Sequence, residues 1–189
     1  PTSISKANLI SAHCNRLGIK HPANTPQTCP LCKRAMHPCG LHYNSCKHST
    51  TKQQVHRQVL DTIHRILKDK LKAISRVEKA VYGDGSDRHD IITRLPHEPT
   101  PTIIDVTISD PSSSPPSNPS PGYSCEKAAR KKHARYDANA SYYGYQFVPA
   151  AYDVFGAACS EWQQWLKKAV RSGEDFPDKE QRSEAHVLN

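Results

Sequence analysis

Aspartate and glutamate are absent from the first 60 of the 189 residues, where eight Lys and Arg stand unopposed; residues 61–189 hold eighteen of each sign. The formal excess of +8 therefore lies in the first third. A uniformly basic segment points to a polyanion, nucleic acid first and an anionic membrane second, because each neutralised phosphate releases counterions. A run of about 18 apolar residues is also missing, which excludes an apolar membrane-spanning helix. Leu, Ile, Val and Phe number only 33 against 23 Gly and Pro, so the core is small and much of the chain is loop or metal-stapled. Methionine occurs once, at Met36, and the chain opens on Pro1 without a cleavable signal pattern, which predicts a piece of a longer polypeptide. Seven cysteines fit a disulfide framework badly; five of them crowd among histidines in the first quarter, as metal ligands in a reducing compartment do.

The patterns along the chain predict a linker helix from an upstream domain over 1–22, then a Cys, His and Pro-rich module over 23–50 too poor in aliphatics to hold a core. Val55, Val59, Ile63, Ile66, Leu67, Leu71 and Ile74 recur every three or four residues and predict an amphipathic helix over 52–74. Strands are expected at 77–82 and 90–93 around a turn at 83–86. The β-branched run Thr102-Ile103-Ile104-Asp105-Val106-Thr107-Ile108 is expected to be a buried central strand. Residues 111–121 hold only Pro, Ser and one Asn and predict a solvated or disordered loop. A basic helix over 126–136, a strand over 142–148, a helix over 157–170 and a polar tail over 172–189 complete a mixed α/β layer with one central sheet, its main domain spanning 51–171.

Two constellations carry chemistry. Cys29-Pro-Leu-Cys32 followed by His42 and Cys46 has the spacing of a tetrahedral Zn2+ site, although His37, Cys39 and His48 compete for the second pair. Asp90 and Asp105 fall on neighbouring expected strands. A carboxylate inside Ile-Ile-Asp-Val-Thr-Ile is costly to bury unless it is paired or coordinates a cation. Two such groups converging on Mg2+ are how nucleases activate water, with a lysine of the following basic helix close enough to join them. The plainer alternative has Asp90 capping a turn and Asp105 pairing with an arginine of that helix.

In this order the motifs resemble the C-terminal region of non-LTR (LINE-type) retrotransposon reverse-transcriptase proteins that carry a restriction-like endonuclease. The resemblance covers roughly residues 25 to 160. Cys29, Cys32, His42 and Cys46 are similar to that family's CCHC motif. Val55-His56-Arg57 resembles its Arg-His-Asn motif, and Arg88-His89-Asp90-Ile91-Ile92 its Arg-Pro-Asp strand with His89 for proline. Ile103-Ile104-Asp105-Val106-Thr107 matches its Ile-Ile-Asp-Val-Thr, and Lys132-His133-Ala134-Arg135-Tyr136 resembles Lys-x-x-Lys-Tyr with Arg135 for the second lysine. Phe155-Gly156-Ala157 resembles its turn into the last helix, while the Pro/Ser insertion departs from the usual tighter connection.

The resemblance implies a PD-(D/E)xK core, a central mixed sheet flanked by helices, behind a small zinc module. It implies Asp90 and Asp105 as ligands of Mg2+ or Mn2+, Lys132 as the catalytic lysine with Lys131 and Lys127 as rivals, and Glu78 as a further carboxylate. Lys33, Arg34, Arg57, Lys127, Arg130 and Arg135 are expected to hold the DNA backbone. The implied function is nicking of double-stranded target DNA in the nucleus, leaving a 3′-hydroxyl that primes reverse transcription of element RNA by the rest of the polypeptide, with no membrane partner. The departures at 56, 89 and 135 favour an alternative: a catalytically inactive nucleic-acid-binding module on a retained nuclease fold.

Overall fold

The computed structural model describes residues 28–36, 42, 46, 48, 50–80, 88–96, 98–111 and 120–174, without the side chains of 51, 52, 78–80, 88, 173 and 174. The linker helix expected over 1–22, the turn at 83–86, most of the Pro/Ser loop (112–119) and the tail beyond 174 lie outside the described residues. The described elements are α1 (Thr51–Arg65), continued by a π-helical turn (Ile66–Lys70), β1 (Ile74–Ala80), β2 (Arg88–Arg94), β3 (Thr102–Ser109), α2 (Tyr123–Tyr142), β4 (Gln146–Asp153) and α3 (Ser160–Glu174). No helix among them is long and apolar enough to cross a membrane.

One four-stranded sheet has the order β1-β2-β3-β4. β1 with β2 and β2 with β3 are antiparallel. The Gln146 N–H donates to the Pro101 carbonyl and the Val154 N–H to the Ser109 carbonyl, one bond at each end of β4 with the same offset, so β4 runs parallel to β3. Parallel neighbours need a long crossover, and α2 provides it. The expected mixed α/β layer with one central sheet is what forms.

Several boundaries differ from the sequence reading. The first helix ends at Lys70, not 74. Leu71 N–H reaches back five residues to the Ile66 carbonyl and Lys72 takes a left-handed φ of 52°, turning the chain so that Ile74 opens β1 three residues before the expected Val77. Apolar spacing continued through this π-turn because Leu67, Leu71 and Ala73 are all buried, helix or not. The basic helix runs six residues past Tyr136 and ends in a Schellman cap: Tyr145 N–H bonds the Ala140 carbonyl, Gly144 N–H bonds that of Ser141, and Gly144 sits at φ 75°. Tyr142 therefore belongs to the helix, and the last strand is Gln146–Asp153, not 142–148. The last helix correspondingly starts at Ser160.

The chain divides into two compact units, residues 1–59 with 106–131 and 150–159, and residues 60–105 with 132–149 and 160–189. In the first, Cys125, Ala129, Val106, Ala150, Ala151 and Cys159 are buried, and the Cys125 thiol donates to the Ala157 carbonyl at 3.2 Å. In the second, Ile103, Tyr136, Ala140 and Phe147 form a core cluster capped by Tyr145, and Trp162 stacks on Trp165 with ring centroids 5.2 Å apart. β2 alternates within this unit: His89, Ile91 and Thr93 are buried, while Asp90, Ile92 and Arg94 are half-buried. The Thr93 hydroxyl has no hydrogen-bond partner among the described residues. Thr93→Val replaces that buried hydroxyl by an isosteric methyl and is expected to stabilise the fold by about 1 kcal/mol. Urea titration checks this, and a lower midpoint in the variant would show that the hydroxyl is satisfied.

Candidate functional site

The metal centre starts from a two-residue knuckle. Thr28 and Ala35 form an isolated antiparallel bridge, the Cys29 N–H donates to the Arg34 carbonyl at 2.8 Å, and the Lys33 N–H returns to the Cys29 carbonyl at 2.9 Å. Lys33 closes the turn at φ 61°. Cys29 and Cys46 are buried, and their sulfurs lie 3.8 Å apart; Cys32 Sγ and His42 Nε2 are 3.0 Å apart. The ligand atoms of Cys29, Cys32, His42 and Cys46 all lie within 4.8 Å of one another. A tetrahedron with arms of about 2.3 Å has edges of about 3.8 Å, so the four are close enough to bind one metal ion, consistent with a structural zinc. Of the expected competitors, His48 is outside this cluster, and His37 and Cys39 lie outside the described residues. The backbone N–H of Cys32, and after it that of Leu31, hold the Cys29 thiolate against the opposing effect of burial and bring its pKa down to about 6. The ligand form of the group is thereby favoured.

The acidic site is built in the second unit. The paired residues of β2 and β3 end at Ile91 opposite Ile104, and the next residues on the two strands are Asp90 and Asp105. On the other side of β2, Val77 pairs with Ile91 and Lys79 with His89, so Glu78 occupies the register position of Asp90. The side chain of Glu78 lies outside the described residues. Asp105 is almost fully buried, and its Oδ2 accepts from Lys132 Nζ at 2.6 Å. Burial, the largest effect, pushes the Asp105 carboxyl up. The Lys132 ammonium opposes this, the Asp90 charge adds to it, and His89 opposes it more weakly; the net shift is upward.

Lys132 is the lysine of α2 that reaches Asp105 because it falls on the buried stripe of the helix. Cys125, Ala129, Tyr136 and Ala140 are buried at steps of three or four residues, and Lys132 fills the step between Ala129 and Tyr136. At about 100° per residue, Lys131 and Lys127 point about 100° and 140° away from it. Neither forms an ion pair among the described residues. The alternative in which an arginine pairs with Asp105 is not what forms. Arg135 is exposed, with its guanidinium 4.9 Å from the Tyr136 ring centroid. His89 is buried and meets Tyr136 edge-on at 5.2 Å.

Three side chains outside the expected site bear on it. His56 Nε2 donates to the Val106 carbonyl at 3.0 Å, tying α1 to β3 one residue after Asp105 within the first unit. His64 and Ser75 share a 2.9 Å hydrogen bond between the end of α1 and the start of β1. His133, next to Lys132, lies between Asp137 Oδ1 at 2.8 Å and Glu161 Oε2 at 2.6 Å, and so links α2 to α3. The sequence carried no signal for the Glu161 contact, since 28 positions separate the two residues. The expected DNA-binding residues Lys33, Arg34, Arg57, Arg130 and Arg135 are exposed, and Lys127 is half-buried.

The His133 clamp makes stability depend on pH. Burial, the largest single effect, pulls its pKa down, but Glu161 and then Asp137 together outweigh it, so the folded value stands above 6.5. A raised folded pKa contributes stability fully present below the unfolded value of 6.5 and lost as pH rises through the folded value. The stability difference between wild type and His133→Gln is expected to be about 1 kcal/mol or less at pH 6, since both carboxylates are more than a third exposed, and to be smaller at pH 8.5. Urea titrations at both pH values read it; a difference independent of pH would show that the ring acts by packing alone. In comparison with known proteins, neither a scan of protein-family models nor a search of curated proteins gives a match to this chain.

Proposed function

We propose that the chain is a metal-dependent endonuclease of the restriction-like PD-(D/E)xK type, joined to a zinc-stapled module, that nicks double-stranded DNA. The observation that carries the reading is the ion pair between buried Asp105 and Lys132 on the strand position next to Asp90. Two carboxylates at neighbouring positions of adjacent strands repel each other, and burial raises the cost of keeping Asp105 ionised. A hard divalent cation relieves both penalties, and carboxylate oxygens are the donors that Mg2+ and Mn2+ take.

In this reading Asp90 and Asp105 hold the cation, with Glu78 available at the same register. The cation, when bound, supplies Lewis-acid stabilisation of the scissile phosphate and a water of lowered pKa. Lys132 opposes the effect of burial on Asp105, favouring its ionised form, and holds a positive charge where negative charge develops on the phosphate. His56 fixes the strand segment that follows Asp105. Zn2+ is the ion proposed for Cys29, Cys32, His42 and Cys46, since three thiolates and an imidazole are its usual structural donors. The exposed basic residues at 33, 34, 57, 130 and 135 hold the DNA backbone. Nicking in the nucleus to expose a 3′-hydroxyl for reverse transcription of element RNA is the setting proposed from the motif resemblance.

Two departures from the resembled motifs keep the Asp105–Lys132 pair in place, which supports the nuclease reading over the inactive-module alternative. His89 takes a packing role against Tyr136, and Arg135 lies over the outside of the same ring while Lys132 supplies the ammonium. The test is conversion of supercoiled plasmid to open circles by the full chain during a Mg2+ and Mn2+ titration. Turnover that rises with metal supports the nuclease. Salt-dependent DNA binding without turnover at any metal concentration makes the chain a binding module instead.

A further inference from the structure

We propose that a cavity of about 190 Å3 at the start of α2 is a phosphate pocket for the DNA backbone, separate from the acidic site; its assignment to DNA rests on the reading above. The cavity is lined by Ser109 and Asp110 at the end of β3 and by Tyr123, Ser124, Lys127 and Lys131 on α2. Its volume has room for several water molecules, and so for a tetrahedral phosphate group. Lys127 and Lys131 are four residues apart on one helix face and both line the same hollow. Neither has an ion-pair partner among the described residues; Lys127 lies 5.6 Å from the Tyr123 ring centroid, which orients it without neutralising it.

Two like charges converging on a cavity repel unless an anion joins them, and Asp110 supplies one negative charge against two positive. The first turn of a 20-residue helix adds the positive end of its dipole, and Ser124 brings a hydroxyl to the lining, while the Ser109 hydroxyl donates to the Tyr152 carbonyl at 3.1 Å. A cation is disfavoured by the two lysines, and an apolar ligand by the hydroxyls and charges. A phosphate group fits the two lysines, the Ser124 hydroxyl and the helix N-terminus, with Asp110 the one lining group that opposes it.

The test has two arms on the full chain. In the first, inorganic phosphate is titrated and amide NMR shifts are read: saturable shifts are expected at Ser124, Lys127 and Lys131 and are lost in the Lys127→Gln, Lys131→Gln double variant. Shifts that do not saturate, or that persist in the variant, overturn the pocket. In the second, duplex DNA affinity is measured against salt in Ca2+: the double variant is expected to make the slope of log K on log salt shallower by about 0.9, the one phosphate that the pocket neutralises. Lys68→Gln, Lys70→Gln on the exposed end of the first helix removes the same charge elsewhere and is expected to change the slope less. Saturable phosphate binding with an unchanged DNA slope assigns the pocket to a free phosphate and overturns its backbone role. A chain that shows both expected results but never nicks DNA overturns the nuclease and leaves the pocket standing.

Discussion

Asp105→Asn is expected to abolish metal-dependent nicking, by about 10^3-fold, without lowering the stability of the fold. The loss of rate follows from removing a charged ligand at the point where the cation and the scissile phosphate would meet. The stability result follows from the sign of the Asp105 shift. Its folded carboxyl binds a proton more tightly than the ordinary value of 3.8, so from 3.8 upward the folded chain holds more protons and stability falls as pH rises through the folded value. Asparagine removes that cost at pH 7. Lys132, with 27 % of its side chain exposed, keeps access to water when its partner is neutral.

Lys132→Ala should behave differently. It also removes nicking, but it leaves the buried carboxylate without its ammonium, at a cost of about 1–3 kcal/mol at pH 7 that shrinks as the pH falls and Asp105 protonates. Nicking assays with thermal melts at pH 7 and pH 4.5 separate the two variants. A large drop in melting temperature for Asp105→Asn would make the aspartate a structural residue, and undiminished nicking would remove it from the chemistry.

Removing the zinc proposed for the Cys and His module is expected to have the larger effect on folding. Few aliphatic residues lie between 23 and 50, and the knuckle is held by two backbone hydrogen bonds and the four ligands. Structural zinc sites of this type hold about 10–16 kcal/mol of apparent binding free energy at neutral pH, which is the folding energy of the segment. A chelator, or Cys46→Ser, should release one zinc per chain and raise amide exchange at Cys29 and Lys33 by at least about 10^3-fold, while Ile103 and Ile104 in the second unit stay protected. Metal analysis and hydrogen exchange read both. Full protection at Cys29 after chelation would mean that the thiols pack as a small core and need no ion.

The first pair of candidate metal ligands, Cys29 and Cys32, was legible in the sequence because a two-residue knuckle is local: its turn aims both thiols within a few residues, whatever the rest of the chain does. The second pair was legible only as a set of candidates, and His42 with Cys46 is the combination that closes within 4.8 Å. Asp105 was legible for a similar reason, since an ionisable group inside a β-branched strand is conspicuous in one dimension. Lys132 was named among three lysines; the choice became physical only with the burial stripe from Cys125 to Ala140, which is visible in the sequence once the true length of α2 is known. That length was missed because small residues such as Ala138 and Ala140 give a weak apolar signal, although Ala140 is buried against Ile103 and Phe147.

The sequence by itself determined the placement of charge, the strand that carries Asp105 and the Cys29–Cys32 knuckle, because each depends on neighbours within about one helical turn or one strand. Only the tertiary structure decided that Asp90 follows the Ile91 pair on β2 just as Asp105 follows Ile104 on β3, that β4 returns parallel through α2, that His133 spans to Glu161, and that Lys127 and Lys131 share a cavity with Ser109 and Asp110. Strand register and helix rotation are set by which apolar side chains fill a common core. That is a property of residues tens of positions apart, and no local pattern encodes it.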